Sequence, residues 1–218
     1  MLFSFKKPLA FSYEAGQTMD VTLLNPPETD ADGKSRSFSI ASAPHEEELM
    51  VAMRMRDTAF KRVLKNMPLG TEVELEGPFG SLTLSGVERP VVLLAGGIGV
   101  SLARSIVADA VRRRHREPLM LLYSNPHEGS AAFLEELYAL SRRLSLFTFI
   151  PTMTRAESDW RGETGRIDAA KLAAYANLGA KPIFYLSGMP MMLSDLRAQL
   201  LSLGIPDTDI RMESFAGY

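Results

Sequence analysis

The chain has 218 residues, a formal net charge of −2 and no cysteine. The near balance of charge argues against a nucleic-acid-binding protein and against a membrane-surface protein. The lack of cysteine excludes disulfides and thiolate-held clusters within this sequence and suits a cytoplasmic protein. The longest apolar run falls far short of the roughly 20 residues that span a bilayer, so no membrane span is predicted.

The first part of the chain, residues 1–87, has the pattern of a small antiparallel β domain. Short runs of β-favouring residues are separated by turn residues such as Pro26-Pro27 and Asp32-Gly33. The predicted strands are 21–24, 37–40, 49–53 and 73–76. Strands at this spacing predict an antiparallel barrel or sandwich.

The pattern changes near Pro90, where apolar runs begin to alternate with helical segments. The predicted strands are 91–95, 119–123, 146–150, 183–186 and 210–212, and the predicted helices are 101–114, 130–144, 168–175 and 191–203. This alternation predicts a parallel sheet covered on both faces. The sequence therefore predicts two domains, residues 1–87 and residues 88–218.

A glycine turn, Gly96-Gly97-Ile98-Gly99-Val100-Ser101, follows the apolar run 91–95. Glycine lets a backbone approach a phosphate closely, and the start of the next helix offers free N–H groups. The turn departs from the dinucleotide-binding fingerprint G-x-G-x-x-G because Leu102 stands at the third glycine position. A tight turn without a ligand is the alternative interpretation.

A second motif is Arg36-Ser37-Phe38-Ser39. Arginine can bind a pyrophosphate with its planar guanidinium. Phe38 lies on the same strand face as Arg36, where its ring can stack on a flat heterocycle. The hydroxyls of Ser37 and Ser39 can bond ring or phosphate atoms. The alternative is an ordinary half-buried strand with a surface arginine.

Five motifs in order along the chain give a more specific indication than either motif alone. They are Arg36 to Ser39, Gly77-Pro78-Phe79-Gly80, Gly96 to Gly99, Ser187-Gly188-Met189-Pro190-Met191-Met192, and the ending Glu213-Ser214-Phe215-Ala216-Gly217-Tyr218. This series resembles the ferredoxin–NADP reductase-like family, which has an FAD-binding β-barrel followed by an α/β NAD(P)-binding domain. Relatives have another strand before the segment 2–5, so we expect the barrel to lack its first strand in this sequence, with either a truncated start or a barrel that is open on one edge.

The resemblance implies an FAD site in the barrel. Arg36 would contact the FAD pyrophosphate, Phe38 would replace the tyrosine that packs on the flavin, and Ser39 would lie near flavin N5. The segment 53–61 would lie against FAD, with Met53 and Met55 on its strand. Thr58, Ala59 and Phe60 would offer N–H groups to the pyrophosphate. A plain amphipathic helix is the alternative for this segment.

The resemblance also implies a nicotinamide nucleotide site. Its pyrophosphate turn would be formed by Gly97, Gly99, Val100 and Ser101, and its adenosine end would lie near Ser124 and Asn125. Arg155 is a candidate for the arginine that binds the 2′-phosphate of NADP, and a solvated loop arginine is the alternative. The choice between NADH and NADPH stays open.

The remaining site residues come from the last two motifs. Ser187, Gly188 and Met189 would flank the nicotinamide, and Glu213 and Phe215 would approach the flavin. Glu213 is a candidate for proton relay, with a surface carboxylate as the alternative. The predicted catalytic residues are thus Ser39, Ser187 and Glu213. The scattered histidines predict no metal site.

The resemblance implies an FAD-dependent NAD(P)H oxidoreductase that moves hydride from nicotinamide to flavin N5. Electrons would then pass to an acceptor such as ferredoxin, flavodoxin, free flavin or a partner oxygenase. One alternative is an electron-transfer or regulatory subunit that holds FAD but does not oxidise NAD(P)H. Another is a binding module that has lost FAD together with the missing strand.

Overall fold

The computed structural model of the protein describes residues 1–214, so the predicted site residue Phe215 lies outside the described residues. The N-terminal part contains five antiparallel strands and one helix. They are β1 (Leu2–Lys6), β2 (Thr18–Leu23), β3 (Ser35–Ser39), β4 (Glu48–Ala52), α1 (Ala59–Asn66) and β5 (Val73–Phe79). Strands β1 and β4 form one sheet, and a second sheet has the order β3-β2-β5.

The two sheets enclose a single hydrophobic core. Met19 and Val21 of β2 and Leu49 of β4 are fully buried in it, and Phe60 of α1 packs against them. The backbone also joins the sheets, because the Ala41 N–H donates to the Met50 carbonyl at 2.7 Å. Strand β2 is the central strand of its sheet, and all of its residues are accordingly buried or half-buried.

The C-terminal part is a six-stranded parallel sheet with helices on both faces. The strands are β6 (Val91–Gly96), β7 (Leu119–Asn125), β8 (Phe147–Met153), β9 (Glu163–Thr164), β10 (Ile183–Gly188) and β11 (Ile210–Ser214), in the order β11-β10-β6-β7-β8-β9. The helices are α2 (Val100–Arg113), α3 (Leu134–Ser141), α4 (Ala169–Tyr175) and α5 (Pro190–Ser202). The predicted architecture of antiparallel and parallel parts is confirmed.

The central strands of this sheet are buried on both faces. Odd-numbered residues of β6, such as Leu93, pack with α2 and α3, and even-numbered ones, such as Leu94, pack with α4 and α5. This explains why the run 91–95 is continuously apolar. The chain passes from β6 to β7 on one side and has β10 on the other. The carboxyl ends of β6 and β10 therefore border the crevice where ligands bind in sheets of this kind.

One predicted helix is shorter than expected. In place of a helix over 130–144, a 3-10 turn at Glu128–Ser130 precedes α3, which begins only at Leu134. The residue before α3, Phe133, has φ of 59° in the left-handed region, which a continuous helix excludes. Strands β1 and β9 were not among the predicted strands, because five and two residues give little periodicity.

Residues 80–90 connect the two parts, and the predicted boundary between residues 87 and 88 falls within this segment. Polar contacts fix the parts against each other across the interface. The Arg104 guanidinium of α2 donates to the Ala41 carbonyl at 3.1 Å and pairs with Glu46 at 2.8 Å. The Ser105 hydroxyl donates to the Ser42 carbonyl at 2.6 Å. In the stretch 1–214, the structure has no helix that is both long and apolar enough for a membrane span.

Candidate functional site

The glycine turn lies at the carboxyl end of β6, on the border of the crevice. Gly97 has φ of 54°, a left-handed conformation that glycine adopts without strain. Gly99 lies so close to β10 that a Cβ at this position would be 2.4 Å from the Ser187 carbonyl oxygen. Helix α2 begins at Val100, directly after a 3-10 turn at Gly97–Gly99 whose Gly97 and Ile98 carbonyls accept from the Val100 N–H. The turn is thus a close-packed approach to a helix N-terminus.

Ser101 has a different role from the helix cap that serine often provides. It lies inside α2, and its hydroxyl donates to the Ile98 carbonyl at 2.9 Å. The N-cap position is Gly99, which offers no side chain. Val100 and Ser101 are both buried, so only their backbone can contribute to a ligand site.

Arg54 from the β domain reaches across the crevice to this turn. A Cβ at Gly97 would lie 3.2 Å from Arg54 Nη2. The Arg54 side chain is exposed, and across the described stretch 1–214 no carboxylate or carbonyl pairs with its guanidinium. Sequence reasoning did not assign this residue. The signal that could have found it is a cation directly after a predicted strand that leads to the crevice.

The Ser187 hydroxyl is committed to the packing of the glycine turn. It is 2% exposed and donates to the Gly99 carbonyl at 2.9 Å. Gly188 follows at the end of β10, and Met189 precedes α5 with 57% of its surface exposed. This segment therefore places one fixed hydroxyl and one exposed thioether beside the crevice.

Glu213 lies next to Ser187, because the two residues are opposite each other in the parallel pairing of β10 and β11. Burial raises the pKa of Glu213 to about 7. Its Oε2 is buried without a hydrogen-bond partner in the described part of the chain. A Cβ at Gly80 of the β domain would lie 3.7 Å from that oxygen. Glu213 thus faces the β domain with an unsatisfied carboxylate.

Ser39 lies on the β-domain side of the region that Glu213 faces. Ser39 is opposite Thr18 in the pairing of β3 and β2. The Thr18 hydroxyl would lie 3.8 Å from a Cβ at Gly80, which also neighbours Glu213. The structure therefore brings the three predicted catalytic residues, Ser39, Ser187 and Glu213, to one interdomain region. Thr18 belongs to it as well and was not predicted.

The Arg36 guanidinium points into a cradle of this chain's own atoms rather than into solvent. Nη1 donates to the carbonyls of Asp32, Gly33 and Ser35 at 2.9, 3.0 and 2.8 Å. Nη2 donates to Asp30 Oδ1 at 2.6 Å, and Asp30 Oδ2 accepts from the Ala59 N–H at 3.1 Å. Together, Arg36, Asp30 and the Ala59 N–H form a group that we call the Arg36 cradle.

Two expectations about the neighbouring N–H groups need correction. The Thr58 N–H donates to the Arg56 carbonyl at 2.9 Å, and the Ala59 N–H is taken by Asp30. The Thr58 hydroxyl caps α1 by accepting from the Lys61 N–H at 3.4 Å. The start of α1 therefore offers fewer free N–H donors than the sequence predicts, because the Asp30 carboxylate already accepts from the Ala59 N–H.

The predicted flavin-stacking residues lie in or beside the β-domain core. Phe38 is 6% exposed, and its ring centroid is 5.9 Å from that of Phe60. Met53 is buried in the same core and Met55 is half-buried. The Ser37 hydroxyl bonds to Asp20 on β2. The stacking face expected of Phe38 is therefore covered in this structure.

The end of β7 presents the remaining predicted residues. Asn125 is 2% exposed, and its amide oxygen and nitrogen both have no hydrogen bond within residues 1–214. Ser124 is half-buried beside it. Arg155 is exposed and tied to this edge by its N–H, which donates to the Pro126 carbonyl at 2.7 Å. An unsatisfied buried amide costs free energy, so it marks a place for a polar ligand.

The donor set fits two nucleotide cofactors. The glycine turn, Arg54 and the Asn125 amide suit a nicotinamide nucleotide, while Arg36 with the start of α1 suits a diphosphate. Across residues 1–214, no three His, Cys, Asp or Glu side chains are grouped to hold a metal ion.

This architecture, an antiparallel β domain before an α/β domain with a glycine turn at its switch point, defines a class of two-domain oxidoreductase folds. Residues 93–198 match the family described as oxidoreductase NAD-binding domain. Over nearly its whole length, the chain is similar to proteins of the ferredoxin–NADP reductase-like family.

The similar proteins cover nearly the whole chain. A phenol 2-monooxygenase reductase component of Pseudomonas sp. (strain CF600) is 28% identical over 96% of this chain and 59% of its own length. Ferredoxin–NADP reductase B of Sorangium cellulosum is 27% identical over 94% of this chain and 86% of its own. The crystal structure of a ferredoxin NADP⁺ reductase from Neisseria gonorrhoeae with FAD and NADP has a TM-score of 0.80 and 22% identity. That comparison covers 98% of this chain and 91% of the other.

The chain is shorter than several of these relatives. It spans about 60% of the length of the terephthalate dioxygenase and phenol monooxygenase reductase components that it matches. Likeness to those proteins therefore does not transfer their whole activities to this chain.

Proposed function

We propose that the chain is an NAD(P)H-dependent flavoprotein oxidoreductase that passes electrons through FAD to a separate acceptor. The observation that carries this proposal is the crevice between the domains. There, Arg54 from the β domain lies over the glycine turn with no pairing partner among residues 1–214, and Glu213 of the α/β domain lies against Gly80 of the β domain. The bound cofactors supply the hydride and electron chemistry, and the protein supplies position and charge.

Nicotinamide nucleotide binding is assigned to the α/β side of the crevice. The positive dipole end of α2 and the Arg54 guanidinium offer positive charge to a pyrophosphate. The Asn125 amide gains partners that it lacks within the described chain. Arg155 is exposed at the same edge, in place to meet a 2′-phosphate where the nucleotide carries one. NADH and NADPH are both substrates under this proposal.

FAD binding is assigned to the β side. Arg36 and the Ala59 N–H together form an anion site with a helix N-terminus. Ser39 lies at the end of β3 that reaches the interdomain region and would sit by the reacting edge of the flavin. Phe38 and Phe60 form the apolar wall behind it.

Glu213 holds a proton near neutral pH at the meeting point of the two sites. Its pKa of about 7 lets the same oxygen bind and release a proton under physiological conditions. Ser187 keeps the Gly99 turn against β10 and so acts as a positioning residue.

The electron acceptor lies outside these 218 residues, because the sequence has no cysteine to hold an iron–sulfur cluster. Ferredoxin, flavodoxin and free flavin are the proposed classes of acceptor. Relatives of both kinds exist, since a ferredoxin–NADP reductase and an NAD(P)H-flavin reductase of Aliivibrio fischeri match 94% and 89% of this chain.

Anaerobic titration tests the proposal. Purified protein is mixed with FAD, NADH or NADPH is added without oxygen, and the absorption band of oxidised flavin is followed. The band is expected to bleach in proportion to added nucleotide. Persistence of the band with both nucleotides, although FAD is bound, would identify instead an electron-transfer subunit that does not oxidise NAD(P)H. A protein that binds no flavin at all would be a module without redox function.

A further inference from the structure

We propose that Asp30 is a specificity-determining residue that competes with the diphosphate of FAD for the Arg36 cradle. This rests on the proposed flavin function and adds a property of the site itself. The protein would discriminate against flavins that carry a diphosphate and would hold its flavin mainly by the ring system.

Both terminal nitrogens of the Arg36 guanidinium are bound by atoms of the chain itself. Nη1 is shared among three backbone carbonyls of the loop between β2 and β3. Nη2 is bound to Asp30 at 2.6 Å, and the guanidinium lies over the Phe60 ring at 5.3 Å. A diphosphate that binds Nη2 where Asp30 now binds it must displace the Asp30 carboxylate.

Asp30 occupies the position in the Arg36 cradle that an anionic ligand would take. One carboxylate oxygen accepts from Arg36, and the other accepts from the first N–H of α1 at 3.1 Å. An arginine together with a helix N-terminus is the arrangement that proteins use to bind phosphate. Arg36 also lowers the pKa of Asp30, so the carboxylate stays charged at neutral pH. The chain thus supplies its own anion to its anion site.

The loop between β2 and β3, which carries Asp30, contacts helix α1. Glu28 of the same loop pairs with Arg62 of α1 at 2.6 Å, and the Gly33 N–H donates to the Asp30 carbonyl at 2.9 Å. The loop is therefore held against α1 by the Glu28–Arg62 ion pair and by the Asp30 carboxylate, which accepts from the Ala59 N–H. The Asp30 and Arg36 side chains are 28% and 21% exposed, so their attraction is only partly screened by water.

Two negative groups cannot share this cradle without repulsion. FAD binding must displace the Asp30 carboxylate or accept its charge nearby, and either route costs free energy that riboflavin does not incur. The consequence is a flavin site in which the diphosphate adds less affinity than the donor set would otherwise provide.

The test compares the flavin affinities of three proteins. Dissociation constants of FAD and riboflavin are measured by flavin fluorescence for the wild type, Asp30→Asn and Asp32→Asn. Asp30→Asn keeps the shape of the side chain but removes its charge, and it is expected to tighten FAD binding about tenfold. Riboflavin binding is expected to change by less than about twofold, because riboflavin has no phosphate.

Asp32→Asn is the matched control. It removes the same charge from the same loop, but its carboxylate is 79% exposed and lies 3.7 Å from Arg36, so FAD affinity should change by less than about twofold. Equal effects of the two substitutions would show that only net charge matters and would overturn the inference. Weaker or unchanged FAD binding by Asp30→Asn would also overturn it, since Asp30 would then orient Arg36.

The two proposals fail in different ways. If riboflavin binds while FAD affinity does not rise in Asp30→Asn, the role of Asp30 is wrong and the flavin function stands. If no protein of the three binds either flavin, the flavin function itself is wrong, and the role of Asp30 falls with it. Circular dichroism spectra that match the wild type establish that each variant is folded.

Discussion

The Arg36 cradle and the glycine turn are two candidate diphosphate sites built from the same parts. Each combines an arginine of the β domain with the N-terminus of a helix, α1 in one and α2 in the other. They differ in how their arginine is satisfied. Arg36 is bound by the Asp30 carboxylate and three carbonyls, whereas the Arg54 guanidinium has no hydrogen-bond or ion-pair partner in the described residues.

This difference shows that a motif residue and an available binding group are not the same thing. A cation attracts a ligand only to the extent that the chain has not already neutralised it. Under the proposed function, a nucleotide binds at the glycine turn without displacing a partner of Arg54 in the described residues. A diphosphate binds in the Arg36 cradle only after the Asp30 carboxylate is displaced. We therefore expect the nucleotide site to depend on rigid packing and the flavin site to depend on charge competition.

The largest expected effect comes from the packing of the glycine turn. In Gly99→Ala, the new methyl group would lie 2.4 Å from the Ser187 carbonyl oxygen and 2.8 Å from the Gly188 nitrogen. Both are backbone atoms that cannot rotate away, so β10 and α2 must separate. We expect the free energy of unfolding to fall by about 3 kcal/mol, the upper range for overpacking. Urea unfolding followed by circular dichroism measures it.

Gly129→Ala is the control for this change. Its nearest neighbour would be His127 Nδ1 at 4.0 Å, which is ordinary contact. Stability should then stay within about 0.5 kcal/mol of the wild type. A similar loss in both variants would mean that the turn is no more tightly packed than a surface loop, and the contrast between the two sites would weaken.

The second largest expected effect comes from removing the Arg54 guanidinium that lies beside the glycine turn. Arg54→Ala removes the guanidinium next to Gly97, and we expect NADH and NADPH to bind about tenfold more weakly, the scale of one charge-assisted contact. Calorimetric titration with each nucleotide measures this. Arg56→Ala is the control, because it removes the same charge from an exposed side chain two residues further on. Equal weakening by both variants would assign the effect to net charge.

The fold follows from sequence to a large extent, for a physical reason. The continuous apolar run 91–95 can only be a strand covered on both faces, and the helix after the glycine turn begins within a residue or two of the prediction. Where a segment is completely buried, as residues 91–95 are, the local sequence pattern is enough to predict its secondary structure. The break at Phe133 has no such signal, since its left-handed φ comes from the packing of α3.

The partners of the site residues could not be predicted in the same way. Arg36 is visible in the sequence, but its pairing with Asp30 depends on how the loop between β2 and β3 folds back on α1. The approach of Arg54 to Gly97 joins residues from separate domains. Sequence motifs thus predict which groups are present, and only tertiary structure determines which of them are already used.

The smallest effect lies between the two sites, at Glu213. Burial raises its pKa to about 7 from an ordinary value of 4.5, so between these pH values the folded protein binds a proton that the unfolded chain does not. The stability contributed by the protonated carboxyl is therefore complete below pH 4.5 and is lost as the pH rises towards 7. Because the side chain is only partly buried, we expect a loss of about 1 kcal/mol rather than the full linkage energy.

Glu213→Gln removes this titration and should be more stable than the wild type at pH 8 by that amount, with the difference vanishing in acid. Unfolding free energies measured across the pH range give the comparison, and Glu74→Gln on the exposed edge of β5 is the control. Parallel curves for the wild type and Glu213→Gln would show that the carboxylate is solvated. The place where the two sites meet would then be open to water, and Glu213 could not hold a proton there at neutral pH.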